Sequence, residues 1–332
     1  MKVSFFSTQP YDVKFFNACN EHFQYDLEYF EANLDEHTVN IIEDSEAICV
    51  FVNDKVNEEV IIKLVEKGVK FVALRNAGFN NVDLEAAKKH NLKVCRVPAY
   101  SPEAVAEHTL AMLLTLNRKT HKAYNRVREQ NFALNGLLGT NIYKKTVGVI
   151  GTGNIGRVFC RTIKALGTKV LAYDLYPNEE LKKEGFEYVS LEELLKQSDI
   201  ISLHCPLTPE THHIINKDTI DLMKKGVYLI NTSRGGLIDT RAIIEGLKSK
   251  KIGALGIDVY EQEEKLFFRD LSETIIEADT IQLLLSFPNV LVTAHQAFFT
   301  EEALVQIAQV TLDNLKQLEA KNTIENKAAE LV

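Results

Sequence analysis

The chain has 332 residues, 45% of them apolar and 25% charged, with a net charge of −8. That length and composition suit about two globular domains, and the acidic balance argues against a nucleic-acid partner, which would favour a basic face. The five cysteines are scattered without a C-x-x-C, as in reduced cytosolic proteins; the opening apolar run is too short for a signal peptide, and no run approaches the ~18 residues of a membrane span, so a cytoplasmic protein is expected.

In chain order, the first hundred residues alternate short apolar runs with helix-like segments. "VSFF" (3–6), "LEYF" (27–30), "AICVFV" (47–52), "KFVAL" (70–74) and "KVCRV" (93–97) read as strands. Between them, "NEEVIIKLVEKG" (57–68) is amphipathic and stops at a glycine. The alternation predicts a parallel α/β sheet covered on both faces. "YSPEAVAEHTLAMLLTLNRKTHKAYNRVREQ" (100–130) then reads as one long helix, capped by Ser101 with Pro102 in its first turn. It marks either a domain crossing or a dimer face.

From Lys145 the rhythm restarts. "TVGVIG" (146–151), "KVLAYD" (169–174), "DIISLH" (199–204), "VYLIN" (227–231), "GALGID" (253–258) and "NVLVTAH" (289–295) predict a second doubly wound sheet. The stretch 260–288 is long for a connection, as segments bordering a site or interface often are. A closing helix follows residue 299.

"VGVIGTGNIG" carries G-x-G-x-x-G at Gly151, Gly153 and Gly156, after a strand and opening a helix. That is the context a dinucleotide site requires: a tight turn, close backbone approach to a pyrophosphate, and close helix–strand packing. The helix N-terminus then offers free N–H groups to the phosphates. Asp174 ends the next strand, where a carboxylate can accept both ribose hydroxyls. Leu175, Tyr176 and Pro177 follow it, with no arginine to meet a 2′-phosphate, so NAD is favoured over NADP.

Three ionisable residues lie just past strands of this second sheet, the edge where open α/β sheets bind ligands. Arg234 follows "VYLINTS", Glu263 follows "GALGIDVYEQ", and His295 ends "NVLVTAH". An arginine fork binds a carboxylate bidentately and stays charged. A histidine gives or takes a proton near neutral pH, and an adjacent carboxylate orients its ring. Glu261 and Glu264, in the same acidic run, compete with Glu263 for that role. No H-E-x-x-H, clustered metal ligands or nucleophile elbow is visible; no metal is expected, and His212-His213 reads as a solvated pair.

With "VGVIGTGNIG", "ISLHCPLTPET", "INTSRGGLID", "GIDVYEQE" and "LVTAHQAF", the chain resembles the D-isomer-specific 2-hydroxyacid dehydrogenases over nearly its whole length. "LRNAGFNNVDL" (74–84), "VPAYSPEAVAEHTLAMLLTLNR" (97–118) and "EKLFFRDLS" (264–272) make it most similar to the fermentative bacterial D-lactate dehydrogenase branch. The resemblance implies a Rossmann NAD domain at 101–298, and a smaller flavodoxin-like substrate domain from 1–100 plus 299–332, with a cleft between and a hinge at the helix starting at 102. It implies reversible reduction of pyruvate by NADH to D-lactate. Arg234 would bind the substrate carboxylate and polarise the carbonyl, His295 would act as acid/base, and Glu263, preferred over Glu261, would be its partner. Ala77 and Gly78 would help hold the carboxylate through backbone N–H groups, Tyr100 would close over the substrate, and Phe298 would limit the methyl side. Ile155 and Gly156 would meet the pyrophosphate and Asp174 the ribose. Cys205, Pro206, Thr211, Thr232, Ser233 and Asp258 would complete the cofactor site, mostly on the nicotinamide side. Thr293-Ala294-His295 departs from the Thr-Pro-His of many relatives, which predicts a looser loop. The resemblance also suggests a homodimer, or a tetramer built from dimers. The competing expectations are a related enzyme for hydroxypyruvate, glyoxylate or a branched 2-oxo acid, and an NAD-sensing corepressor.

Overall fold

The computed structural model describes residues 1–263 and 266–332. The chain forms two compact units, Met1–Ser101 with Phe299–Val332, and Pro102–Phe298. No helix among the described residues is long and apolar enough to cross a membrane.

The first unit runs β1 (Lys2–Phe5), α1 (Pro10–Asn20), β2 (Asp26–Tyr29), β3 (Ala47–Val50), α2 (Glu58–Glu66), β4 (Phe71–Leu74), α3 (Leu84–Lys89) and β5 (Lys93–Arg96). Local chemistry explains its elements. In α2 the Asn57 side chain accepts a hydrogen bond from the Val60 N–H, Glu58 and Glu59 sit at the positive end of the dipole, and Val60, Ile61 and Leu64 form the buried stripe. Gly68, at φ +85°, ends the segment. The five strands are all parallel in the order β2-β1-β3-β4-β5, the flavodoxin-like arrangement.

In the second unit, α4 (Pro102–Arg118) and α5 (Thr120–Arg128) replace the single helix expected over 100–130. Lys119 between them is left-handed, at φ +50°. The cause lies outside the helical sequence. The Asn117 side chain donates to the Thr140 carbonyl at 2.6 Å and accepts from the Thr140 N–H at 3.0 Å. A returning loop therefore docks on the end of α4 and closes it. Gly139 approaches so closely that a Cβ there would be driven into the Asn117 carbonyl oxygen.

The elements then run β6 (Thr146–Ile150), α6 (Asn154–Ala165), β7 (Lys169–Tyr173), α7 (Glu179–Lys183), β8 (Glu187–Tyr188), α8 (Leu191–Gln197), β9 (Ile200–Leu203), α9 (Lys217–Leu222), β10 (Val227–Asn231), α10 (Thr240–Lys248), β11 (Ile252–Ile257), α11 (Asp279–Ser286) and β12 (Val290–Val292). The sheet is parallel, in the order β12-β11-β10-β9-β6-β7-β8. Adjacent residues of inner strands enter different cores: Leu229 packs in one cluster, Ile230 in another, both fully buried. The order reverses between β6 and β9, which places a ligand crevice at their carboxyl ends. The two-residue β8 was not foreseen. After residue 298 the chain returns to the first unit as α12 (Glu301–Lys321), and Glu330 pairs antiparallel with Cys95 on β5.

Candidate active site

The glycine turn lies at that reversal. Gly151, at φ +92°, packs so closely on the chain leaving β9 that a Cβ would be driven into the Cys205 backbone nitrogen. A Cβ on Gly156 would strike the Gly151 carbonyl oxygen. Gly153 differs: nothing lies within 4 Å of where its Cβ would sit. The first and third glycines close the turn; the second leaves open the space a pyrophosphate would approach, at the N-terminus of α6. Ile155 and Gly156 form the first turn of that helix.

Asp174 follows β7 directly. One oxygen accepts from the Thr152 N–H at 2.6 Å and the Thr152 hydroxyl at 2.9 Å, and the other from the Tyr176 N–H at 2.9 Å. A carboxylate has about four acceptor positions, so one stays open on a carboxylate held in place. Thr152 accepts in turn from the Tyr188 hydroxyl at 2.9 Å. An open glycine and a braced acid fit an NAD molecule. Sequence reading missed Thr152 and Tyr188; the variable residue of G-x-G was the only local signal for the first.

The turn after β10 is shaped by Asn231, fully buried. Its side chain accepts from the Ser233 N–H at 3.0 Å and donates to the Arg234 carbonyl at 2.9 Å. Ser233 donates to the Cys205 carbonyl at 2.7 Å, tying β9 to β10 at the crevice. The Thr109 hydroxyl donates to the Val105 carbonyl, so Thr232, 2.8 Å away, donates to Thr109 and keeps its lone pairs available. Burial pushes the Cys205 thiol up to about 11, making it a neutral wall group. The Thr211 hydroxyl donates to the Pro206 carbonyl at 2.6 Å and accepts from the Thr208 N–H at 2.8 Å, so it holds its own turn.

Arg234 is half-buried. Its guanidinium donates to the Ser233 carbonyl at 2.7 Å and makes no ion pair among the described residues. Gly235 packs directly on the Tyr260–Glu261 backbone, where a Cβ would collide. The segment bearing Glu263 is thereby set beside the turn bearing Arg234.

His295 Nδ1 lies 2.8 Å from Glu263 Oε1, with both side chains about one-fifth exposed. The other Glu263 oxygen accepts from the Tyr260 N–H at 2.8 Å. This fixes the carboxylate, and the carboxylate in turn holds the proton of neutral His295 on Nδ1, leaving Nε2 to exchange a proton with a ligand. Phe268 packs against the ring, with centroids 5.8 Å apart. His295 itself sits at φ +53°, a left-handed conformation that is uncommon outside glycine.

Buried Asp258 holds that conformation. It accepts from the Thr293 hydroxyl at 2.6 Å and from the Gln296 and Ala297 N–H groups, each at 2.9 Å. His108 on α4 lies within 3.5 Å. Burial opposes the anion, yet these donors, His108 first, outweigh it and keep the carboxyl below its ordinary value. Its hydrogen bonds to chain groups make Asp258 the brace of the 293–297 loop.

Glu261 does not meet His295: it accepts from the Thr240 N–H and hydroxyl and lies 2.7 Å from His213 Nε2. Glu264, and the start of the 264–272 segment, fall outside the described residues. The His212 and His213 rings are stacked, with centroids 3.9 Å apart. Because His213 engages Glu261, the two are not a merely solvated pair, and the three side chains form a cluster of metal-ligating type that the sequence did not reveal. Ala77 and Gly78 lie in the turn after β4, where their carbonyls accept from Arg96 at 2.8 Å and Asn76 at 2.5 Å. They and half-buried Tyr100 belong to the first unit, and buried Phe298 closes the second.

Residues 110–297 match the family described as D-isomer specific 2-hydroxyacid dehydrogenase, NAD binding domain. The D-lactate dehydrogenase of Escherichia coli is 52% identical over 327 residues, covering 98% of this chain and 99% of that one. The apo-structure of an Escherichia coli D-lactate dehydrogenase superposes with a TM-score of 0.92 at 50% identity, covering 100% of both chains. A D-lactate dehydrogenase from Aquifex aeolicus complexed with NAD and lactic acid superposes at 0.87 with 39% identity, covering 99% of this chain and 98% of that one. The chain therefore belongs to the D-isomer-specific 2-hydroxyacid dehydrogenase family, whose NAD-binding domain it carries.

Proposed function

We propose that this enzyme is an NAD-dependent D-lactate dehydrogenase that reversibly reduces pyruvate to D-lactate, with His295 as acid/base, Glu263 as its partner and Arg234 on the substrate carboxylate. The 2.8 Å Glu263–His295 pair carries this reading. It stands at the carboxyl edge of a dinucleotide-binding sheet, beside an arginine without an ion-pair partner among the described residues. Similarity to proteins named D-lactate dehydrogenase supports pyruvate as the substrate.

Bound NADH supplies the hydride that reaches the carbonyl carbon. As negative charge develops on the carbonyl oxygen, His295 delivers a proton from Nε2, and Glu263 stabilises the ring's positive charge before transfer. Arg234 orients the carboxylate through its planar fork and polarises the same oxygen. In lactate oxidation His295 takes the proton back. Gly151, Gly153, Ile155 and Gly156 would hold the pyrophosphate and Asp174 the ribose, with Cys205, Pro206, Thr211, Thr232, Ser233 and Asp258 shaping the rest of the cofactor site.

The first unit would act as the substrate domain, with Ala77, Gly78 and Tyr100 turned to pyruvate and Phe298 limiting the methyl side. Self-association is part of the same reading. Tyr124, Phe132, Leu134 and Leu138, from α5 and the loop after it, are 60–88% exposed, and a second copy would cover them. We place the enzyme in the cytoplasm, in keeping with its unpaired cysteines.

The test is NADH oxidation with pyruvate, with the lactate enantiomer identified. Rapid formation of D-lactate is expected. L-lactate, or faster turnover of 2-oxoisocaproate than of pyruvate, would overturn the assignment.

A further inference from the structure

Among the described residues, one cluster away from the Glu263–His295 pair brings side chains of metal-ligating type together. His212, His213 and Glu261 each offer one ligand atom, and these atoms lie within 4.8 Å of one another. Two imidazoles and a carboxylate form a donor set for a late first-row divalent ion, and a poor one for calcium or magnesium, which prefer oxygen ligands.

Three observations separate this cluster from a chance meeting of surface groups. First, the ligands are braced from behind. Glu261 turns its second oxygen to the Thr240 N–H at 3.1 Å and to the Thr240 hydroxyl. The His213 backbone is fixed by its N–H to the Gly236 carbonyl at 2.9 Å, and by the Asn216 side chain donating to its own carbonyl at 2.9 Å. Such outer contacts orient metal ligands. Second, His213 is left-handed at φ +52°, and the two neighbouring rings stack together where an extended backbone would send them to opposite sides. Third, the spacing is close to what an ion needs. Zinc-to-ligand distances of ~2.0–2.2 Å place tetrahedral ligand atoms about 3.4 Å apart. The His213–Glu261 contact of 2.7 Å would open by roughly 0.7 Å, and the ion would take the place of the proton that contact shares.

We infer that His212, His213 and Glu261 form a binding site for a zinc-class divalent ion, with water completing the coordination. The ligands come from the turn after Thr211 and from the segment between β11 and Glu263, and Gly236 links that turn to the one after Arg234. A bound ion would clamp segments that lead into the candidate active site without touching its reacting groups.

Zinc binding to the untagged full chain, by calorimetry without substrate or cofactor, tests this. One equivalent is expected, with affinity falling at least about tenfold in His212→Ala and in Glu261→Gln. Thr240→Val, which keeps all three ligands but loosens Glu261, should weaken binding by about tenfold. Cobalt in place of zinc should show ligand-field absorption that disappears in His213→Ala. Undiminished zinc affinity in His212→Ala and Glu261→Gln would locate the ion elsewhere, at the Glu263–His295 pair or at the half-buried Cys19 thiol, and overturn the proposal. Failure of the wild-type chain to bind zinc would do the same. Since no turnover is measured, neither result bears on the pyruvate assignment.

Discussion

Each unit carries an arginine just past the carboxyl end of an inner strand, and the two live in opposite surroundings. Arg75 follows β4 and is 2% exposed. Its Nε lies 3.3 Å from Asp12, its guanidinium donates to the Ser7 carbonyl at 2.8 Å, and it packs over the Phe51 ring. Asp54, also buried, sits in the same charge cluster, where burial pushes its carboxyl up against the pull of Arg75. Arg234 follows β10, is only half-buried, and has no carboxylate partner among the described residues. A cation at a strand end is thus a fold device in one sheet, while in the other it has no carboxylate partner among the described residues, as the proposed role in binding a substrate carboxylate requires. What separates them is whether the chain supplies the counter-charge.

The largest effect expected at this second edge comes from His295, the proposed proton donor. His295→Gln should lower the pyruvate turnover rate by about 10²–10⁴-fold with NADH binding, read by fluorescence, nearly unchanged. A matching loss of NADH affinity would remove His295 from proton transfer.

The arginines provide the direct test. Arg75→Met leaves Asp12 and Asp54 buried without their cation and should cost about 3–5 kcal/mol in urea unfolding. Arg234→Met should change stability by less than about 0.5 kcal/mol, yet lower kcat/KM for pyruvate by about ten- to hundredfold through the lost charge-assisted pair. Equal destabilisation by the two changes would erase the contrast.

A smaller signature lies in acid. His204, beside the glycine turn, packs on Phe159 with ring centroids 5.0 Å apart, and burial pushes it down to about 3. The unfolded chain binds this proton at ordinary histidine pH, so the contribution is complete above pH ~6.5 and is lost as pH falls from there toward the folded value. Stability should drop by at most about 1.4 kcal/mol per pH unit from this group. His204→Gln should flatten that arm; an unchanged slope would contradict it. The smallest effect belongs to Tyr188→Phe. Losing the hydroxyl that braces Thr152 behind Asp174 should raise the NADH dissociation constant only several-fold, about 0.5–1.5 kcal/mol.

Much of this was visible in the linear chain because it is local. Apolar runs separated by amphipathic segments encode both sheets, and glycine spacing encodes the turn at 151–156. Arg234, Glu263 and His295 stood out because each follows a strand. What escaped was set by distant partners. The break at Lys119 comes from Thr140 docking on Asn117. The meeting of His213 with Glu261 spans 48 positions and obeys no local period. Asn231 reads as an ordinary strand end until its turn is seen folded around it, and Arg75 is indistinguishable from Arg234 without the third dimension.

The closing of the first unit by α12 has a consequence in time. Buried residues of that helix, from Ala303 to Leu318, belong to the unit that begins at Met1, and the Asn314 side chain donates to the Arg96 carbonyl. The second unit is contiguous and can complete its core as it leaves the ribosome. The first cannot: β1 to β5 must wait for Pro102–Phe298 to be synthesised before their last covering layer arrives. At about 5–20 residues per second that wait is roughly 10–40 s. One face of these strands can pack on α2 and α3 at once, and only the face that α12 covers is left open during that interval.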